Sequence, residues 1–255
     1  MSAVPAARQW ALSSPPVDGI SRVAFLTPSL LAASSWDGLV TLFDAVKDTR
    51  VASFSRTGAV LDVAAINASS VVCGGLDMAV TLHDWGTSAT RVLGSHLGAV
   101  RCVSVGVARG VVVSGSWDKS VRVWDARAQP VAALAGSAMM GERVFALTVV
   151  GADTVVACTS DREVAVMDLR KLAGGDVNTP PAVRPSSLAF QTRIARGFPT
   201  GDAWASGSVE GRVAIDYMDT ADENKFVFKV RSTSEATSCE KKATGQEANE
   251  RESVR

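Results

Sequence analysis

The chain repeats itself. The segments GISRVAFLTPSLLAASSWDGLVTLFD (residues 19–44), GAVLDVAAINASSVVCGGLDMAVTLHD (58–84) and GAVRCVSVGVARGVVVSGSWDKSVRVWD (98–125) align in register. Two weaker copies follow, ERVFALTVVGADTVVACTSDREVAVMD (142–168) and QTRIARGFPTGDAWASGSVEGRVAIDYMD (191–219). An acid recurs in every copy, at Asp37, Asp77, Asp118, Asp161 and Glu210, at intervals of 40, 41, 43 and 49 residues. Such intervals suit a four-stranded propeller blade. Inside the copies, β-branched runs such as Val111–Val113 and the alternating Val121 and Val123 read as strands, with Gly, Asp and Ser between them. No long amphipathic helical pattern interrupts residues 1–231, so the class is all-β.

The expected domain is therefore a β-propeller over residues 1–231, with repeats at about 19–45, 58–85, 98–126, 142–170 and 191–219. Residues 171–187, KLAGGDVNTPPAVRPSS, read as a Gly/Pro-rich connection that accounts for the longest interval. Residues 232–255 contain no aromatic residue and only Val254 as a large aliphatic. That composition predicts a disordered polar tail, because too little apolar surface is present to offset the entropy of ordering it.

Charge narrows the function classes. Twenty-six basic and 26 acidic residues cancel, so no global field draws the chain onto nucleic acid or an anionic membrane. No basic stripe is interleaved with aromatics, and a single Tyr is present, which argues against direct nucleic-acid binding. No apolar stretch approaches the roughly 18 residues of a membrane span and no signal-like N-terminus is seen, so the expectation is a soluble intracellular protein without a membrane partner. Cys73, Cys102 and Cys158 sit in apolar runs and, with Cys239, show no CxxC pairing; they read as small buried hydrophobes in a reducing compartment. With His83 and His96 the only histidines, a His-rich metal centre is not expected, and no cofactor is called for.

The third copy carries two Trp-Asp pairs, Trp117-Asp118 and Trp124-Asp125. In a blade, His96 before the first strand, Ser114 or Ser116 on the second, Asp118 in the next turn and Trp124 on the third can form one hydrogen-bonded chain. Ser, His and Asp also make the membership of a hydrolase triad. The turn acid, however, recurs in copies that have no His, which suits a turn device better than a unique catalytic centre.

The words around the repeat are more specific than the repeat. PPVDGIS, SSWDG, TGAVLD, GGLD, VRCV, SGSWDKSVRVWD, SSLAFQTR, SVEGRVAIDYMD and KFVFK occur in that order. Together they resemble the WD-repeat propellers of the mitotic checkpoint, of the Bub-three kind, and somewhat less their sister, the Rae/Gle messenger-RNA export propeller. The resemblance covers roughly residues 10–231. It implies a nonenzymatic, seven-bladed docking platform, nuclear and at kinetochores in mitosis, acting as a monomer within hetero-complexes. Its implied partners are the GLEBS motif of checkpoint kinases, phosphorylated threonine motifs of a kinetochore scaffold and, for the export branch, a nucleoporin. Carried over word by word, Trp36 of SSWDG, Trp117 of GSWDK, Arg193 of QTR and Arg212 of EGRV match partner-binding positions on one face. Arg suits that role because its planar fork binds carboxylate or phosphate oxygens in pairs, and an exposed indole is a good anchor. The competing readings are that the two indoles cap the central channel, that Arg193 neutralises a turn acid, and that Arg212 pairs with Glu210 or Asp216.

Seven blades of about 42 residues need roughly 290 residues, and only five copies are present. In the family, the N-terminal strand, here about residues 8–13, locks the last blade. The expectation is that five of an expected seven blades form an open arc with an unpaired edge; the competing arrangement is a tighter five-membered ring.

Overall fold

The structure, a computed structural model, describes residues 12, 14–129, 132–174, 181–219 and 225–230. These form five four-stranded antiparallel sheets, each a meander of strands consecutive in sequence. Blade 1 comprises β1 (Ile20–Phe25), β2 (Leu30–Ser35), β3 (Leu39–Asp44) and β4 (Thr49–Ser55). Blade 2 comprises β5 (Val60–Ala65), β6 (Ser70–Gly75), β7 (Ala79–Asp84) and β8 (Ala89–Ser95). Blade 3 comprises β9 (Val100–Gly106), β10 (Val111–Ser116), β11 (Ser120–Asp125) and β12 (Leu134–Met139). Blade 4 comprises β13 (Val144–Val150), β14 (Thr154–Thr159), β15 (Glu163–Asp168) and β16 (Ala182–Pro185), and blade 5 comprises β17 (Thr192–Gly197), β18 (Ala203–Ser208), β19 (Arg212–Tyr217) and β20 (Phe226–Lys229).

The recurring acid has a local cause. It lies in the three-residue loop between the second and third strands of every blade, and the residue after it is left-handed each time: Gly38, Met78, Lys119, Arg162 and Gly211, with φ of 83°, 63°, 69°, 69° and 75°. A three-residue hairpin loop ends in that conformation. The carboxylate then accepts the amide two residues on, Leu39 N–H to Asp37 at 2.9 Å and Ser120 N–H to Asp118 at 2.9 Å. Turn chemistry thus fixes the hairpin at the centre of each sheet.

The connection read at residues 171–187 is corrected. It contains β16, the fourth strand of blade 4, and overlaps a short helix α1 (Leu169–Ala173) whose first turn is capped by Asp168 accepting from the Arg170 amide at 2.8 Å. Leu169 and Leu172 of α1 are buried among residues of blades 3 and 4. Pro185 is tolerated because β16 is an edge strand. Most of the N-terminal strand read at about residues 8–13, and the whole of the tail at 232–255, lie outside the described residues.

Each blade buries one face against the next. Ala32 and Val40 of blade 1 pack with Val60, Val63, Val71 and Cys73 of blade 2. Val72, Val80 and Leu93 of blade 2 pack with Val103, Val112 and Trp124 of blade 3. Val113, Val121 and Val123 of blade 3 meet Val144, Leu147 and Val155 of blade 4, and Val150, Val156 and Cys158 of blade 4 meet Ala195 and Trp204 of blade 5. Four junctions therefore carry an apolar core.

The five blades stand as a ring around one axis, packed at four of its five junctions, which narrows the expectation of an open arc to a single unpacked edge between blades 5 and 1. Ser21, Asp62, Arg101, Ala146 and Ile194, one from each innermost strand, line the same axial cavity. Small inward residues, Ala64, Ala146 and Ala195, allow neighbouring sheets to converge near the axis. The fifth junction is different. Among the described residues no buried apolar cluster joins blade 5 to blade 1. Phe226 and Phe228 stack at 6.1 Å and remain half exposed, and strand register puts them on the sheet face opposite Trp204, away from blade 4. Val23 and Phe25 of blade 1 are exposed in the same way, on the face opposite Ala24.

The packing between blades 2 and 3 is testable. A Cβ on Gly94 of β8 would lie 2.3 Å from the Trp124 ring, which is itself held in place by a hydrogen bond. Gly94→Ala is expected to cost about 1–3 kcal/mol through overpacking, read as a lower denaturant midpoint at unchanged slope; a midpoint equal to wild type would contradict the packing described.

Candidate partner-docking face

Blade 3 contains a closed polar chain. Trp124 Nε1–H donates to Ser114 Oγ at 2.7 Å. Ser114 Oγ lies 2.7 Å from His96 Nε2, and His96 Nδ1 lies 3.1 Å from Asp118 Oδ2 and 2.9 Å from Ser120 Oγ. Donor accounting assigns the neutral tautomer: Nδ1–H donates to Asp118 and the Ser114 hydroxyl donates to Nε2. Burial holds the His96 imidazole below its ordinary value, against the pull of Asp118. Burial alone would raise Asp118, but bonds from the Ser120 hydroxyl and the Leu97 and Ser120 amides outweigh it and hold the carboxyl at about 2. Ser116 is used differently, donating to Gly98 O at 3.1 Å and accepting the Asp118 amide. Ser114 is wholly buried and its oxygen already accepts the indole N–H, so these three triad-type side chains fasten a blade and offer no nucleophile to a substrate.

Blade 2 performs the same task with other residues. Arg56 stands where His96 does, two residues before Gly58 as His96 is before Gly98. Its guanidinium makes a fork to Asp77, at 2.8 and 2.6 Å, and donates further to Cys73 O, Cys73 Sγ and Ala79 O. His83 stands at the position of Trp124, stacked on Phe54 at 4.0 Å and bonded to Thr90. Cys73 replaces Ser114, which is why burial in this junction pushes its thiol upward. The signal was present in sequence as the shared spacing of Arg56 and His96 from the following Gly, but only geometry shows that an arginine fork replaces an imidazole.

The four residues predicted to meet a partner lie at one end of the disc. Trp36 and Trp117 directly follow β2 and β10, in the loops that hold the turn acids, and they are 51% and 36% exposed. Arg212 opens β19 at that same end of blade 5, and Arg193 is the second residue of β17, whose first residue, Thr192, pairs with the end of β18 at Ser208. Arg193 and Arg212 are both exposed. Arg212 lies 3.4 Å from Glu210, so part of its charge is matched, whereas Arg193 has no hydrogen bond or ion pair among the described residues. The same loop position in blades 2 and 5 presents Leu76 and Val209, both exposed, and Leu97 and Phe190 stand beside them as further exposed apolar residues. Sequence reasoning passed over these four because single exposed aliphatics carry no signal until the ring gathers them at one end.

A β-bulge sets where the channel residues point. The innermost strand of every blade slips register by one residue near this end, at Ser21, Leu61, Arg101, Phe145 and Arg193. Bulges re-aim side chains. Ser21, Arg101, Phe145 and Arg193 all line the upper cavity.

Comparison with known proteins agrees with this architecture. Residues 87–125 match the family described as WD domain, G-beta repeat. The chain is 39% identical over 231 residues to mitotic checkpoint protein BUB3.1 of Arabidopsis thaliana, covering 88% of this chain and 66% of the relative. It is 36% identical over 236 residues to mitotic checkpoint protein bub-3 of Caenorhabditis elegans, covering 89% and 67%. The chain belongs to the Bub3 family of WD-repeat proteins. It also resembles the poly(A)+ RNA export protein of Schizosaccharomyces pombe, at 33% identity over 86% of this chain and 62% of the relative. The chain spans about two thirds of the length of the relatives it matches. The matched WD repeat ends on Trp124-Asp125, in the one blade where His96, Ser114, Asp118 and Trp124 occur together; the other blades of this family member depart from the signature.

The neutral His96 gives a pH prediction. An unfolded imidazole titrates near 6.5 while the folded one titrates lower, so the unfolded state binds more protons as pH falls through that value and stability declines. Asp118 adds a second loss as its carboxyl protonates between 3.8 and about 2. The wild-type unfolding midpoint is expected to drop between about pH 7.5 and about pH 5.5, and less so in His96→Asn, the remainder coming from His83, which burial also depresses. Equal drops in both proteins would refute the assignment.

Proposed function

We propose that the chain is a non-enzymatic docking subunit of the spindle assembly checkpoint, binding GLEBS-type peptides of checkpoint kinases and phosphothreonine motifs at kinetochores. The observation that carries the proposal is that Trp36, Trp117, Arg193 and Arg212, on three different blades, share one end of the disc with an exposed apolar rim. An acidic or phosphorylated peptide crossing that end meets two indole anchors and two guanidinium forks. Arg193, unpaired among the described residues, is free to take a carboxylate; Arg212, shared with Glu210, is suited to a phosphate strong enough to compete with it. The checkpoint relatives support this reading, and the nucleus and the kinetochore are the compartments it requires. The family's seven-bladed plan is part of the same proposal: the junction between blades 5 and 1, which lacks an apolar core, is where two further blades would enter.

The export relatives favour a second reading, a messenger-RNA export factor binding a nucleoporin. Location separates the two: foci on unattached mitotic chromosomes support the checkpoint, and nuclear-rim staining in interphase supports export.

Titration with a fluorescent GLEBS peptide tests the docking face. Arg193→Glu and Trp117→Ala are each expected to weaken binding by about tenfold or more, and Arg127→Glu, on a side chain 77% exposed elsewhere, to leave it unchanged. Undiminished binding by Arg193→Glu would overturn the proposal.

A further inference from the structure

The upper channel holds an unusual charge balance. Arg22, Arg101 and Arg193 line one cavity of about 230 Å³ with a single carboxylate, Asp62. Arg196, three residues deeper on β17, acts on the same carboxylate and lines the continuation of the channel below. Asp62 is already committed: its oxygens accept the Val63 amide at 3.0 Å and the Val103 amide at 2.9 Å, tying blade 2 to blade 3, and Arg22 Nε sits 3.3 Å away. Even Arg22 Nε, although buried, makes no well-aligned hydrogen bond there. Arg101, Arg193 and Arg196 have no hydrogen bond or ion pair among the described residues.

Three guanidinium groups therefore share this cavity with one carboxylate, and a fourth, Arg196, acts on that carboxylate from the adjoining cavity below. Burial and the nearby Arg22 charge hold the Arg196 guanidinium below its ordinary value, with Asp62 pulling the other way. Like charges gathered in a narrow, partly desolvated space attract a counter-ion, and low-dielectric walls concentrate the effect. The bulges at Arg101 and Arg193 aim two of the forks into this space from blades 3 and 5. The upper cavity, at about 230 Å³, is smaller than the roughly 300 Å³ at which drug-sized pockets begin, and Arg196 lines a second one of about 440 Å³ farther along the same strands; the cluster of guanidinium groups at the upper cavity suits a compact anion with several oxygens.

We propose that the axial channel of this protein is a binding site for a compact, multiply charged phosphate of the polyphosphate class, held by Arg22, Arg101 and Arg196 with Arg193 at the mouth. The guanidinium forks pair with its oxygens, and Asp62, fixed by two amides and Arg22, stays outside the ligand as the strut that positions Arg22. The site shares Arg193 with the peptide-docking reading but needs neither indole nor Arg212, and its tests use Arg101 and Arg196, which that reading does not involve.

Calorimetric titration of the full chain with sodium tripolyphosphate, in buffer of about 50 mM salt, tests it. One saturable site is expected, weakening steeply as salt rises and by about tenfold in Arg101→Gln and in Arg196→Gln; Arg127→Gln and Trp117→Ala are expected to bind as wild type. Melting of the wild-type protein is the second measurement: tripolyphosphate should raise the midpoint beyond sodium chloride at equal ionic strength. No saturable heat, equal binding by Arg101→Gln and Arg196→Gln when these are folded by circular dichroism, or a melting shift no greater than that of sodium chloride would each overturn the proposal. Failure of GLEBS binding in the indole variants leaves this result untouched, so the two readings fail separately.

Discussion

Burial of one sheet face against the next is the interaction on which the rest of this structure depends. A lone four-stranded blade has two faces and a core for neither; only stacking removes its Val and Ala side chains from water. Four clusters, running from Ala32 and Val40 to Trp204, do this for the junctions between consecutive blades. At roughly 25 cal/mol per Å² of apolar surface, each junction supplies several kcal/mol, more than any one hydrogen bond in the turns. Once the blades stack, every hairpin between second and third strands points to one end of the disc, and that end acquires its indoles and guanidinium groups as a consequence of topology.

The hydrogen-bonded turn devices serve that stacking and are replaceable. Blade 3 uses a neutral imidazole between a hydroxyl and a carboxylate, with Trp124 underneath. Blade 2 uses a guanidinium fork on Asp77, a thiol in place of the hydroxyl and a stacked imidazole in place of the indole. What persists is a donor before the first strand that reaches the turn acid of its own blade. That constancy of role with change of residue explains why the strict WD signature is found in only part of the chain.

The period, the all-β class and the turn acids were readable in the sequence because their causes are local: a left-handed residue after an acid, and β-branched runs on both sides. The outermost strands were not. β4 and β20 are exposed along most of their length and show no clear apolar alternation, and β16 is hidden in a Gly/Pro-rich segment that only its pairing with β15 reveals as a strand. The arrangement of the blades around one axis was also out of reach, since the angle between neighbouring sheets depends on how residues such as Ala64 and Ala195 pack between them, and no local pattern reports an angle. For the docking end, Trp36 and Trp117 could be placed from their position before a turn acid. The channel arginines could not be gathered, because Arg22, Arg101 and Arg196 are far apart in sequence and meet only through the common axis.

Native-state hydrogen exchange measures the central claim, that the blades form a stack held at four junctions and unpacked at the fifth. Amides of β6, β10 and β14, each in a sheet packed on both sides, are predicted to exchange by the largest opening, while those of β1 and β20, on the sheets that face the unpacked junction, exchange through smaller, earlier openings. Uniform protection across all five sheets, or slowest exchange in β1 and β20, would contradict the account.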